Sequence, residues 1–288
     1  MSLNIPTIFK RGPLLKDSTR AEDWSINDLE FATQVAWKEI TGISGIPTGI
    51  FFKPDGKKMY VIENDSQFIR QFDLENPWEL SGILTLEKSE AVISFPDGLY
   101  FKPDGTKIFW ADSVNGDLVE VTLGTAWDIA TMGAETTTAV AKPPIDISFN
   151  RDGSKCYTTS WEALRSDITE HVLTNPWDIS AITSSTTSDI AEDTRGSYFR
   201  MSPNRRKIIL YGTTSNNVFE YETRAATNVD SPKLIIINDF SNKRKLIENP
   251  DVSGMFINQQ GTRAYFSTAA GEEAIIQYNF KEKESDPR

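Results

Sequence analysis

An alternation of apolar and polar positions, broken by a tight turn, returns five times along this chain. Aligned on the turn, the copies read FFKPDGKKMYV (51–61), YFKPDGTKIFW (100–110), SFNRDGSKCYT (148–158), RMSPNRRKIIL (200–210) and FINQQGTRAYF (256–266). Before each turn, apolar residues stand two apart: Ile50/Phe52, Leu99/Phe101, Ile147/Phe149, Phe199/Met201 and Met255/Ile257. That is the period of a strand with one face buried. Pro-Asp-Gly suits a reversal, because Pro fixes its own φ and Gly accepts a positive one. A second strand follows, with Lys58, Lys107, Lys155, Lys207 or Arg263 two places before Tyr60, Phe109, Tyr157, Ile209 or Tyr265. A third strand carries Phe72, Val121, His171, Tyr221 and Tyr278, and six residues beyond it stand Trp78, Trp127 and Trp177. A fourth, less regular strand leads into the next copy.

The turn positions Pro54, Pro103, Arg151, Pro203 and Gln259 are separated by 49, 48, 52 and 56 residues. Repeats of that length built from β-type residues predict an all-β fold, a five-bladed β-propeller of four-stranded antiparallel blades. The fifth copy ends after IIQYNF without its Trp element, and Asp23-Trp24-Ser25-Ile26 near the start resembles the missing piece. The ring is therefore expected to close by strand exchange between the termini, with roughly Leu29 to Ile40 as the outer strand of the last blade. Such a splice removes the two free edges of an open array. The implied organisation is an N-terminal extension over 1–20, one propeller domain over 21–281 and a polar tail over 282–288. The repeat Trp residues are expected to clamp outer strands against neighbouring blades, and Cys156 to serve as a small buried residue in a second-strand slot.

Charge narrows the function. At −11 formal charge the 288-residue chain lacks the concentrated basic surface that nucleic acid requires, and it is unsuited to anionic lipid. No apolar run approaches a membrane span, and the opening residues lack the apolar core of a secretion signal. The extension carries Lys10, Arg11, Lys16 and Arg20 against Asp17 alone, so a basic, partly apolar segment precedes an acidic body. One cysteine excludes an internal disulfide.

Candidate chemistry is sparse. His171, the single histidine, occupies a scaffold column, and no nucleophile elbow accompanies it. Asp112-Ser-Val-Asn115-Gly-Asp117 presents hard oxygens, but its spacing is not that of a calcium loop, and a tight Asn-Gly turn is the more economical reading. Neither a metal nor a cofactor is expected. Asp97 and Asp146, just before the first strands of blades two and three, are the alternative catalytic acids, since two carboxylates near an axis can flank a sugar bond. The connection between second and third strands is longest in blade three, and its extra length contains Trp161. Trp161 there is a candidate for stacking on a sugar, and Asp65, Asn115 and Asp117 complete the candidate ligand-binding residues. The face of the ring bearing these loops is the expected functional face.

The run G-I-F-F-K-P-D-G-K-K-M-Y-V followed by Q-F-D-L-x-x-P-W-x-x-S resembles the propeller repeats of tailed-bacteriophage virion proteins and related bacterial proteins, over residues of about 23–280. Blade four departs from the pattern, with Arg205 for the turn Gly and no Trp after Tyr221. The resemblance implies a non-enzymatic structural or adhesion protein, assembled in a bacterial cytoplasm into a virion in multiple copies. Its implied partners are other virion proteins and host-surface glycan. A propeller enzyme acting on glycosides or lactones, and an intracellular interaction scaffold, are the alternatives.

Overall fold

In a computed structural model of the protein, residues 33–82, 84–162, 165–190, 197–202, 207–213, 217–222, 233–239, 252–269 and 274–279 are described. They begin with β1 (Thr33–Glu39), followed by blade one: β2 (Pro47–Phe52), β3 (Lys58–Glu63), β4 (Phe68–Leu74) and β5 (Leu84–Ala91). Blade two comprises β6 (Pro96–Phe101), β7 (Lys107–Asp112), β8 (Asp117–Leu123) and β9 (Met132–Ala139). Blade three comprises β10 (Pro144–Phe149), β11 (Lys155–Glu162), β12 (Arg165–Leu173) and β13 (Ile182–Ile190). Blade four comprises β14 (Ser197–Met201), β15 (Lys207–Gly212), β16 (Asn217–Glu222) and β17 (Lys233–Asp239). The last blade is β18 (Val252–Ile257), β19 (Arg263–Thr268) and β20 (Ala274–Asn279), completed by β1 in the order β1-β20-β19-β18. All pairings are antiparallel, and the inner strands β2, β6, β10, β14 and β18 touch one another in a ring around the axis.

The expected exchange of termini is present: β1 runs antiparallel to β20 with Trp37 opposite Ile276 and Glu39 opposite Ala274. The chain start thus covers an edge of the chain-end blade. The extension 1–20, the Trp24 element, the Arg205 turn, the segment after Glu222 and the tail 282–288 lie outside the described residues.

Burial follows the alternation. Ile50, Phe52, Leu99, Phe101, Ile147 and Phe199 are buried between sheets, where they form successive clusters with the apolar residues of the second and third strands. The repeat Trp residues lie over the turn glycines of their own blades, Gly56, Gly105 and Gly153. Trp78, Trp127 and Trp177 adopt left-handed backbones with φ of 66, 64 and 62°. Their amides donate to the carbonyls of Gly56, Gly105 and Gly153 at 2.9–3.0 Å. A Cβ on any of those three glycines would stand 2.3 Å from the indole, so the turn needs glycine both for its own positive φ and for the ring laid on it. Blade four, which has Arg205 at that slot, also lacks the Trp.

The same Trp residues join blades. Trp127 stacks on Phe101 at 5.3 Å and on Phe51 of blade one at 6.4 Å, and Trp177 stacks on Phe149 at 5.0 Å and on Tyr100 of blade two at 6.3 Å. The Tyr60 hydroxyl donates to the Trp127 carbonyl and the Tyr265 hydroxyl to the Trp78 carbonyl, both at 2.7 Å. Blade two has Phe109 at the tyrosine position, and there Lys107 donates to the Trp177 carbonyl at 2.8 Å. A third-strand column supplies acceptors to the next blade: Gln71 receives Ile129 N, Glu120 receives Ile179 N and Gln277 receives Leu80 N at 2.8–3.3 Å. The basic column of the second strand pairs with this acidic one, as Lys155–Glu170 at 2.6 Å and Lys207–Glu220 at 3.0 Å. Repeat-specific polar residues therefore sit mainly at blade junctions.

Candidate functional site

The meander puts the β2–β3 type of turn at one end of the axis and the β3–β4 type of loop at the other. Most sequence-predicted residues lie at the loop end or on strands reaching it. Trp161 is a correction: it is not in a loop but in β11, opposite Ser166, because the extra residues of blade three extend the β11–β12 ladder to Glu162 and Arg165. Only its backbone is described. Asp65 accepts from Ile46 N at 2.5 Å and Ser66 N at 3.0 Å, which ties the entry into β2 to the β3–β4 loop. Asn115 is turned onto Asp112, whose carboxylate accepts from Val114 N, Asn115 N and Asn115 Nδ2 at 2.7–3.1 Å. Asp117 opens β8 opposite Asp112. The turn is held by its own Asp112.

Asp97 shares a column with Thr48 and Ser253, which staple the axis, and Asp146 stands one position later, opposite Thr159 as Gly49 is opposite Ile62. The Thr48 hydroxyl donates to Pro96 O at 2.7 Å and the Ser253 hydroxyl to Pro47 O at 2.5 Å, each reaching the inner strand of the next blade. Asp146 does the same by charge. Fully buried, it accepts from Phe199 N at 2.9 Å and Arg200 Nη1 at 2.7 Å across the junction of blades three and four, and from Ile147 N at 2.9 Å. Burial pushes its carboxyl up, opposed by the Arg200 guanidinium and the two amides. Three donors converge on this one carboxylate and commit it to the junction of blades three and four. Asp97 differs. Burial, against the hydrogen bond it accepts from Ser113 Oγ, and the nearby Asp112 and Asp146 charges push its pKa to about 7. His171 is buried between Thr158 and Ser185, at 3.0 and 2.8 Å, and burial lowers its pKa to about 4, so it is a neutral core residue. Cys156 is buried likewise, and burial pushes its thiol up. Among the described residues no three His, Cys, Asp or Glu side chains are grouped to hold a metal ion.

A cavity of about 390 Å³ lies instead at the turn end of the axis. Every blade contributes through the position between its two buried apolar residues, or just beside it: Phe51, Tyr100, Ser148, Arg200 and Phe256. Phe51 lies 5.6 Å from Tyr100 and 5.2 Å from Phe256, so blades five, one and two form an aromatic arc. Blades three and four close the ring with Ser148, Arg151 and Arg200, and among the described residues no carboxylate lines the cavity. Arg200 is 5% exposed, held from behind by Asp146 and by the Phe199 carbonyl at 2.6 Å. The volume falls within the roughly 300–1,000 Å³ of small-molecule sites. These residues were missed in the sequence because attention to the buried pair passes over the position between its members. The signal was present, however: the first letters of the five aligned copies read Phe, Tyr, Ser, Arg, Phe.

No protein-family model matches the chain, and no curated protein does. Solved structures resemble the chain at low identity, with TM-scores below 0.5. A functionally unknown protein from Desulfotomaculum acetoxidans is 12% identical with a TM-score of 0.46, over 83% of this chain and 67% of that one. A candidate 6-phosphogluconolactonase from Bacteroides uniformis is 16% identical with a TM-score of 0.46, over 82% and 68%. Hydrazine synthase of Kuenenia stuttgartiensis is 11% identical with a TM-score of 0.45, over 83% and 98%. These likenesses concern the fold alone.

Proposed function

We propose that the protein is a non-enzymatic component of a tailed-bacteriophage virion that uses the propeller ring to bind host-surface glycan. The observation that carries this reading is the character of the axis: its open cavity is aromatic and cationic, without a carboxylate among the described residues, while Asp146 is committed to Arg200. Aromatic walls with a few convergent polar groups suit binding. The repeat resemblance supports the virion assignment, with other virion proteins as further partners. The site lies at the turn end, not on the loop face that bears Asp65 and Asn115.

Asp97 favours a second reading, since a buried carboxyl that titrates near neutrality suits general acid–base work on a glycoside or lactone. One experiment separates the two. Protein incubated with cells of the strain whose lysate yields the particles should be retained at the surface and competed off by that strain's extracted polysaccharide, which is recovered undegraded. Depolymerised polysaccharide, with the activity lost in Asp97→Asn, would establish the enzyme instead.

A further inference from the structure

We infer, resting on the reading above, that the axial cavity takes a sugar residue bearing a carboxylate. On a protein of net charge −11 a concave site is expected to be lined by acids, yet among the described residues this one carries Arg151 and Arg200 and no acid. Arg200 Nη1 is satisfied by Asp146 and Phe199 O, whereas Nη2 has no acceptor among the described residues and Nε is buried without one. A buried guanidinium with unmet donors is costly unless an acceptor arrives. Asp146, fixed by the amides of Phe199 and Ile147, orients that guanidinium from the side away from the cavity. Arg151, in the turn slot that holds proline in blades one and two, is exposed at the rim and adds the uncompensated positive charge. Arginine forks match carboxylate geometry, so the pair provides one deep contact and one at the entrance. The Ser148 hydroxyl also lines the cavity, has no hydrogen-bond partner among the described residues, and fits a sugar hydroxyl. Opposite, the half-buried rings of Phe51 and Tyr100 offer apolar faces to the C–H side of a pyranose. The cavity therefore divides into a half for charge and a half for the ring.

The test is calorimetric titration of the full chain with glucuronate and galacturonate, and with glucose, galactose and glucose 6-phosphate as the comparison. The uronates should bind at least about tenfold more tightly than the neutral sugars, and Arg151→Gln should remove most of that margin while leaving the melting temperature unchanged. Ser148→Ala should weaken all the sugars it binds, with the uronates still preferred. Equal affinity for charged and neutral sugars, tighter binding of the phosphate sugar, or indifference to Arg151→Gln would overturn the inference. Cell retention without uronate binding would refute this ligand while sparing the adhesion reading. Uronate binding without cell retention would keep the site and refute the adhesion reading.

Discussion

Replacing Gly105 by Ala tests how turn and tryptophan depend on each other. Gly105 has φ +74°, and a Cβ there would sit 2.3 Å from the Trp127 indole. The left-handed backbone costs Ala about 1–2 kcal/mol. The indole cannot retreat freely, since it lies between Phe101 and Phe51 and its backbone is held by Gly105 O and Tyr60 Oη. Forcing a methyl into such packing costs a further ~1–3 kcal/mol, so Gly105→Ala should lose about 2–5 kcal/mol in all. Trp127→Ala alone should lose about 3 kcal/mol, the low end for a large aromatic because the ring is half-buried. In the double variant only the backbone cost remains, so the two losses should fall short of additive by about 1–3 kcal/mol. Urea unfolding followed by far-ultraviolet circular dichroism reads all four proteins without relying on tryptophan fluorescence. Strict additivity would show that the indole does not lie on the glycine.

Three other perturbations bear on the account. Deleting residues 1–40 removes β1 and bares the edge of β20, so the product should aggregate and lose its cooperative melt, as size-exclusion chromatography and calorimetry would show. Asp146→Ala should cost about 3–5 kcal/mol by leaving Arg200 buried without its anion, and Asp146→Ala with Arg200→Met should recover part of that loss in urea melts. Asp97, raised from 3.8 to about 7, takes up a proton more readily in the folded state. Its contribution to stability therefore falls as pH rises from about 4 through 7 and is constant above, by at most about 4 kcal/mol, and Asp97→Asn should flatten that part of the urea midpoint against pH.

The fold was legible because its determinants are local and repeated. A period-two alternation before each turn and a fixed distance from third strand to Trp prescribe one meander, and five copies, the last split between the two ends of the chain, prescribe a closed ring. The role of the Trp column was less legible: the sequence shows Trp and turn glycine together in three blades and absent together in the fourth, but only the left-handed backbone at Trp127 brings the indole over Gly105. The sequence reading looked to the loop end and passed over the cavity at the turn end. Loop length pointed to Trp161, yet extra residues in a β-hairpin can continue the ladder, and here they do. The axial acids were likewise ambiguous, since Asp146 becomes an inter-blade ion pair only when Arg200, 54 residues later, is brought beside it. The cavity is composed of one residue from each copy, a combination visible only down the columns of the alignment.

Hydrogen–deuterium exchange of the full chain, with and without the surface polysaccharide that retains it, tests the placement of the site most directly. Protection is predicted in peptides spanning 51–54, 100–103 and 148–151, which meet at the turn end of the axis. Protection confined to 64–67, 113–116 and the connection between β11 and β12 would place the site on the loop face and contradict the account.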